Sequence, residues 1–126
     1  MESRLYGFLI DDNIQLDIAN RRLFRYSDGP DEHTVSFKAI SLNEIQTRLL
    51  VYLLLNGKDA VIYKNDIMKY VWEDINLSSS NQRLWHAINE IRRKLSSIGL
   101  PDDFITNVHG VGYSLDNQII LSLFIR

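Results

Sequence analysis

Apolar residues towards the C-terminal end of the chain recur at the spacing of a helix. Leu84, Ile88, Ile91 and Leu95 are separated by four, three and four positions, so they form one stripe along a helical surface. The opposite side carries side chains that hydrogen-bond base edges and phosphates, namely Gln82, His86, Asn89 and Arg93, with Arg83 beside them. The pattern predicts a helix that packs on a core through one face and presents the other outwards.

The stretch after this helix has the pattern of a tight β-hairpin. Two short runs, Phe104–Val108 and Tyr113–Leu115, flank the connection His109–Gly112, whose two glycines favour a turn. A helix with a polar surface, followed by a β-hairpin wing, is an arrangement typical of proteins that bind DNA.

The first third of the chain predicts β-structure. Apolar and polar positions alternate from Ile14 to Ile18, which is the period of a strand with one buried face. Further strands are predicted at Arg22–Tyr26 and Val35–Phe37, with Ala19–Arg21 as a turn and Ser27–Glu32 as a loop. These segments predict an antiparallel sheet of three or four strands.

Three helices are predicted after the sheet. Ser41 and Glu44 have capping-box spacing, and the apolar run that follows ends at Asn56-Gly57, where glycine favours a left-handed stop. A second helix is predicted at Lys64–Trp72. A polar connection, Glu73–Ser79, leads to the third helix, which a Ser79/Gln82 capping box opens and which extends to about Ser97.

Length and charge narrow the picture. A length of 126 residues predicts one domain, which is large enough to bury a hydrophobic core without disulfides. The chain contains no cysteine, so disulfide bonds are excluded. The net charge is −2, but residues 80–96 contain four basic residues and one acid, a local charge of +3 that leaves −5 elsewhere. Such asymmetry orients one face towards a polyphosphate.

Catalytic and metal chemistry find little support in the sequence. The three histidines, His33, His86 and His109, are far apart and have no neighbouring ligands at metal-binding spacing. The adjacent acids Asp11-Asp12 and Asp102-Asp103 sit near predicted turns, which argues against paired acid–base work. We therefore expect neither an enzyme nor a bound cofactor or metal.

Several short motifs occur together in a fixed order. They are Ser41-Leu42-x-Glu44, Leu49-Leu50, Val71-Trp72, Ile88-x-x-Ile91-Arg92-Arg93-Lys94-Leu95 and Val108-His109-Gly110-Val111-Gly112-Tyr113. Through them the chain resembles the winged-helix DNA-binding domain of the OmpR/PhoB class of bacterial regulators, over about Phe8 to Leu115. Because no receiver domain precedes it, the chain looks more like the CadC/ToxR branch than a phosphorelay response regulator.

The resemblance implies an α+β winged helix-turn-helix, with an N-terminal antiparallel sheet, three helices and a C-terminal hairpin wing. It implies that Ser80–Ser97 enters the major groove of double-stranded DNA while the wing reaches an adjacent minor groove. The residues at the family's base-contacting positions are Gln82, His86 and Glu90, and those at its phosphate or backbone positions are Trp72, Arg83, Arg92 and Tyr113. Glu73–Ser79 stands where the family can touch RNA polymerase or its sigma factor.

Two residues depart from the family pattern. His109 replaces the usual wing arginine and carries little charge at pH 7, so binding should be weaker and its salt dependence flatter by roughly one phosphate contact. Glu90 stands where a reading arginine is frequent, and its carboxylate can accept a hydrogen bond from cytosine but cannot pair with phosphate.

The sequence as a whole indicates a sequence-specific DNA-binding transcriptional regulator that binds as two copies on paired half-sites, because one small module buries little surface. The alternative is a winged helix that serves as a protein–protein interaction module, which the net acidity favours. The expected location is the cytoplasm, or the cytoplasmic side of a membrane-anchored regulator. Trp85, at the edge of the apolar stripe, is interpreted as a packing residue.

The last ten residues form the least typical segment. We divide the chain into a winged-helix domain at 1–116 and an apolar tail at 117–126, in which Ile119–Ile125 is almost wholly apolar. The tail is too short to span a membrane, for which about 20 apolar residues are needed. An extra strand or docking segment on the sheet is the favoured interpretation, and the start of a transmembrane helix or a dimerisation edge are alternatives.

Overall fold

The computed structural model describes residues 3–28, 31, 33–116 and 119–126. The elements are β1 (Arg4–Ile10), β2 (Ile14–Asp17), β3 (Arg22–Asp28), β4 (Val35–Ser41), α1 (Glu44–Leu55), β5 (Ile62–Tyr63), α2 (Lys64–Val71), α3 (Asn81–Ser97), β6 (Ile105–Val108), β7 (Gly112–Leu115) and β8 (Ile120–Ile125). Short 3₁₀ turns cover Glu73–Ile75 and Asp102–Phe104. The predicted α+β order of sheet, three helices and hairpin is confirmed.

Two antiparallel sheets organise the strands. The larger has the order β4-β3-β2-β1-β8 and the smaller the order β5-β7-β6. The first third of the chain contributes four of the strands in the larger sheet, in agreement with the predicted three or four, and β8 adds a fifth. Most residues of β1 are apolar, without regular alternation, and β5 has only two residues, so neither strand gives a periodic signal.

The core lies between one face of the larger sheet and the three helices. Phe8, Leu16 and Leu23 are fully buried on the sheet side, and the predicted stripe of α3 belongs to the same buried cluster, with every member at most 2% exposed. Burying a large aliphatic or aromatic side chain contributes roughly 1.5–3 kcal/mol, so burial of the stripe in this core fixes α3 by its inner face.

The start of α1 differs from the prediction by two residues. Ser41 is the last residue of β4, where it pairs with Arg22, so it cannot cap a helix. Asn43 is the N-cap instead: its side chain accepts a hydrogen bond from the Gln46 backbone N–H at 2.8 Å, while Gln46 Oε1 accepts one from the Asn43 N–H at 3.0 Å. The predicted Ser41/Glu44 box was wrong, although the helix itself is confirmed.

The end of α1 uses glycine for a different reason from the one predicted. Gly57 is not among the residues with positive φ, and the last turn is closed by Asn56, whose amide donates to the Tyr52 carbonyl at 2.8 Å. A Cβ on Gly57 would lie 2.9 Å from Leu115 Cδ1 and 3.2 Å from Ile120 Cδ1. Glycine therefore leaves room for the Leu115 and Ile120 side chains, and a larger residue there would have to displace their terminal methyl groups.

The cap of α3 is shifted by one residue from the predicted Ser79. Ser80 is the N-cap and accepts a hydrogen bond from the Arg83 backbone N–H at 3.1 Å, whereas the Ser79 hydroxyl donates to Glu73 at 2.6 Å. At the other end, two cations from the larger sheet hold the last carbonyls: Lys38 Nζ donates to Ser97 O and Arg25 to Ile98 O. Cations suit the negative end of a helix, and they fix α3 on the sheet.

The C-terminal segment is part of the larger sheet. β8 pairs antiparallel with β1 from Ile10↔Ile120 to Arg4↔Ile125, as the extra-strand interpretation predicts, so residues 120–125 do not begin a helix. Among the described residues, no helix has the length and apolar character required to span a membrane. Residues 117 and 118 lie outside the described part, and a domain division at 116 stays a prediction.

The predicted loop between the second and third predicted strands is shorter than expected. Ser27 belongs to β3, which runs on to Asp28, and its hydroxyl bonds to that of Ser36 on β4 at 2.8 Å. Residues 29, 30 and 32 of that predicted loop lie outside the described residues.

Candidate nucleic-acid interface

The outward surface of α3 is polar and accessible. Six of the ten predicted site residues are exposed, three are half-buried and one is buried: the exposed ones are Gln82, Arg83, His86, Glu90, Arg93 and His109, the half-buried ones are Asn89, Arg92 and Tyr113, and the buried one is Trp72. The exposed residues of α3 project from the side opposite the buried stripe, as the helical period requires.

Arg92 joins α3 to the wing. Its guanidinium donates to the Ile105 carbonyl through Nε at 3.0 Å and Nη2 at 2.8 Å, and to Asn107 Oδ1 at 2.8 Å. It also donates to Asn89 Oδ1 at 3.3 Å, and it lies 6.0 Å from the centre of the Tyr113 ring. The Arg92 side chain therefore holds β6 and β7 against α3, and most of its donors are used within the protein.

Tyr113 stands where the wing meets α3. Burial raises the pKa of its hydroxyl above the ordinary value of 10.0, while the nearby Arg92 charge acts in the opposite direction. The hydroxyl therefore remains protonated at neutral pH and can serve as a hydrogen-bond donor.

The wing tip is a three-residue turn made by His109, Gly110 and Val111. Val108 pairs with Gly112, the Val111 N–H donates to the Val108 carbonyl at 2.8 Å, and Gly110 has φ +68°. A left-handed φ favours glycine, and the space around a Cβ there is open, so the constraint is conformational. The Lys64 N–H donates to the Val111 carbonyl at 3.1 Å and ties the tip to the start of α2.

A shallow cleft of about 220 Å³ separates the first half of α3 from the wing. Its walls are formed by Lys64, Asn81, Leu84 and Trp85 on the helical side and by Asn107, Gly110, Gly112 and Tyr113 on the wing side. The polar surface of α3 and the hairpin therefore lie side by side.

The far edge of α3 is tied to α1 instead. Lys94 Nζ donates to the Ser41 carbonyl at 2.6 Å and to Gln46 Oε1 at 3.0 Å, and Gln46 in turn donates to Glu90 Oε2 at 3.3 Å. Glu90 is exposed but already accepts one hydrogen bond within the protein, so part of its capacity to read a base is used.

Trp72 belongs to the core. It is 4% exposed, and its carbonyl accepts hydrogen bonds from Ile75 at 3.1 Å and Leu77 at 2.9 Å. Through these bonds it holds the connection between α2 and α3. The structure does not bring its side chain onto the exposed surface that carries Gln82 and His86.

Trp85 is the residue that the sequence interpretation misjudged. It is 57% exposed, so it is not a packing residue, and its ring contacts that of His86 edge-on with centroids 5.0 Å apart. Its position three residues before Ile88 places it about 60° from that buried residue around the helix. A helical projection of the sequence could have shown that Trp85 lies to the side of the buried stripe, outside the part of α3 that the core covers.

The family model described as "Transcriptional regulatory protein, C terminal" matches residues 38–115, well over half of the chain. The chain belongs to this family of regulator domains. It is the OmpR/PhoB-type family that the ordered motifs resemble, so that identification is confirmed.

This regulator domain is also similar to a solved structure, the DNA-binding domain of E. coli CadC. The TM-score is 0.71 at 15% sequence identity, and the match covers 97% of this chain and 100% of that one. At this identity the likeness shows a shared fold. A comparison with curated protein sequences gives no significant match.

The regulator domain offers donors and one carboxylate on the α3 and wing surface, a combination suited to hydrogen bonding and to ionic contact. Among the described residues, no group of three His, Cys, Asp or Glu side chains is arranged to hold a metal ion. The α3 and wing surface provides amide, imidazole and guanidinium groups, which can recognise a partner through hydrogen bonds.

Proposed function

We propose that this domain binds double-stranded DNA in a sequence-specific manner as part of a transcriptional regulator. In this proposal α3 enters the major groove and the wing contacts an adjacent minor groove. The observation that carries it is the Arg92 bridge, which holds the hairpin beside the exposed polar face of α3. Family membership independently supports a role in transcriptional regulation.

The proposed contacts divide into two kinds. Base readers are at least partly exposed residues of α3 with amide, imidazole or carboxylate groups, and backbone contacts are cationic, imidazole or hydroxyl side chains that set the register. We assign base reading to Gln82, His86, Asn89 and Glu90, and backbone contact to Arg83, Arg93, His109 and Tyr113. Arg92 acts mainly by positioning the wing, and Trp72 by holding the connection before α3.

Charge sets a limit on affinity. The net charge of −2 and the presence of His109 where the family usually has a wing arginine reduce the electrostatic contribution that dominates most DNA binding. We therefore propose that two copies bind paired half-sites, which doubles the contacts available to one small module.

Selection of bound sequences from random DNA tests this proposal most broadly. Gln82→Ala should shift the preferred motif, because an amide that reads a base is worth roughly 1–3 kcal/mol of discrimination. Arg83→Ala should weaken every sequence alike and reduce the salt slope by about one phosphate contact. Lys58→Ala is a matched control, since it removes an exposed cation after α1 and should change neither. An unchanged motif in Gln82→Ala would contradict the reading role.

A second candidate function is protein–protein interaction. The observation that favours it is β8, where Leu121, Phe124 and Ile125 are each about half exposed on the edge strand of the larger sheet. A domain that gives no DNA complex at low salt, but a stable complex with a protein through β8, would support this candidate instead.

The connection before α3 is a further proposed contact surface. Residues 73–79 include the exposed acids Glu73 and Asp74 and the 44% exposed Leu77, with Asn76 in a left-handed conformation at φ +63°. We propose that this segment is available to RNA polymerase when α3 lies on DNA. Loss of transcriptional activation in Leu77→Ala, with DNA affinity unchanged, is the expected result.

A further inference from the structure

Trp85 is a large aromatic side chain that α3 leaves open to solvent. It is 57% exposed, whereas the other tryptophan of the chain, Trp72, is 4% exposed. Its ring is oriented by the edge-on contact with His86, at an interplanar angle of 75°. An exposed indole beside a cleft is a candidate contact residue, since tryptophan is enriched at interfaces.

The indole faces the wing and not the middle of the outward surface. It lines the cleft together with Asn107 and Tyr113 of the wing, and with Lys64 at the start of α2. Among the described residues that line this cleft, Lys64 is a cation and none is an acid. The cleft therefore suits a partner that carries negative charge and also an apolar surface.

The sugar–phosphate backbone of DNA has both properties. When a helix occupies one groove and a wing the next, the strand that separates the two grooves must pass between them. A deoxyribose presents an apolar face flanked by phosphate oxygens. An indole offers a flat apolar face, which can pack on the sugar, and one N–H donor with no acceptor, which suits a phosphate oxygen.

We propose that Trp85 packs against a deoxyribose of the strand that crosses the cleft between α3 and the wing. The inference rests on the proposed DNA-binding function. It adds an uncharged contact to the DNA backbone, which the family match does not assign. It is distinct from base reading, because a ring on the wing side of α3 meets the groove wall before it meets a base edge. Stacking on a base would require that base to leave the duplex.

The proposal makes three linked quantitative statements about Trp85→Ala. Affinity should fall about tenfold, since the contact covers on the order of 50 Å² of apolar surface. The fall should be the same for every DNA sequence, so the selected motif is unchanged. The slope of log K against log salt should also be unchanged, because no charge is removed.

Fluorescence gives a readout at the residue itself. With Trp72 buried, acrylamide quenching of the wild type reports mainly on Trp85. Addition of duplex DNA should protect this component from acrylamide, whereas Trp85→Phe should show little quenching with or without DNA. Trp85→Phe keeps a flat apolar face and should lose less affinity than Trp85→Ala.

The matched control is Tyr26→Ala, which removes a 46% exposed aromatic side chain from β3 of the larger sheet and should leave affinity unchanged. Thermal unfolding of each variant establishes that the fold is intact. If the wild type binds no DNA, the proposed function and this inference fail together. If it binds and Trp85→Ala binds equally well, shifts the motif or changes the salt slope, the inference alone is overturned.

Discussion

The α3–wing surface and the β8 edge are two exposed regions of one small domain, and they are built on opposite principles. On the first, polar side chains are oriented by hydrogen bonds that cross between elements, as in the bridge from Arg92 to Asn107 at 2.8 Å. On the second, Leu121, Phe124 and Ile125 leave apolar surface exposed along an edge strand, and residues 119–125 contain no charge.

The difference indicates which partner each region suits. A surface of oriented donors gains specificity from directional bonds, because a wrong partner leaves polar groups unpaired. An uncharged edge strand offers unpaired backbone groups and apolar contact, which natural proteins usually protect from self-association. The first region is suited to a polyanion with a defined pattern, and the second to another polypeptide.

The largest expected effect on this comparison comes from Arg92→Ala. The Arg92 guanidinium donates hydrogen bonds to the Ile105 carbonyl and to the side-chain amide oxygens of Asn89 and Asn107. Its loss should lower the free energy of unfolding by about 2 kcal/mol. Arg93→Ala, which removes the neighbouring exposed cation, should change it by less than about 0.5 kcal/mol. Urea unfolding of both variants measures the difference, and equal values would show that the wing is not held by Arg92.

The β8 edge should separate into an inner and an outer face. Ile120 packs against the core, so Ile120→Ala should lower the free energy of unfolding by about 1 kcal/mol. Leu121 is 48% exposed, and Leu121→Ala should cost less than about 0.5 kcal/mol. Neither should alter DNA affinity. A loss of DNA binding in Leu121→Ala would mean that the two regions are not independent.

A smaller effect is expected from Glu90→Gln. The amide keeps the size of the side chain and an oxygen that can accept a hydrogen bond from a base, but it removes a negative charge from the α3 surface, so affinity for DNA should rise about threefold at low salt. The gain should shrink as salt is added, because exposed charges are screened. Binding titrations at two salt concentrations check this, with Glu73→Gln as the matched control outside α3.

The smallest effect is a pH dependence at the wing. Burial raises the folded-state pKa of Tyr113 above its ordinary value of 10.0, so the folded state holds the phenolic proton more tightly than the unfolded state. The associated stability is present below pH 10 and is lost as pH rises through the folded-state pKa. Tyr113→Phe should reduce this alkaline loss in unfolding measurements. Burial also raises the pKa of Tyr52, which should leave part of the loss in place.

Much of the fold could be predicted because it follows from local periodicity. The stripe of α3 is a strict helical repeat, and all four of its members are buried. The caps were less accessible, because several residues of cap type stand next to one another. Ser79 and Ser80 are both suited to cap α3, and the local sequence does not distinguish them. At α1, Ser41 is excluded as a cap because it pairs with Arg22 in the sheet. That pairing joins residues distant in sequence and has no local signal.

The candidate site was predictable in part for the same reason. Exposure of Gln82 and His86 follows from the helical period. The bridge from Arg92 to the Ile105 carbonyl does not, because a backbone acceptor on another element leaves no trace in residue type. Trp85 was misjudged because an aromatic residue next to Leu84 resembles a core residue in composition, whereas its angle around the helix leaves it outside.

The central claim is that α3 and the wing act as one DNA-binding surface from which β8 is excluded. The most direct measurement is a titration of the isotope-labelled domain with its selected duplex, followed by backbone amide chemical shifts. We predict that amides of α3 from Gln82 to Arg93 and the tip residues His109 and Gly110 shift together at the same DNA concentration, while those of β8 remain in place. Shifts confined to β8, or a response in α3 with none at the wing tip, would contradict the account.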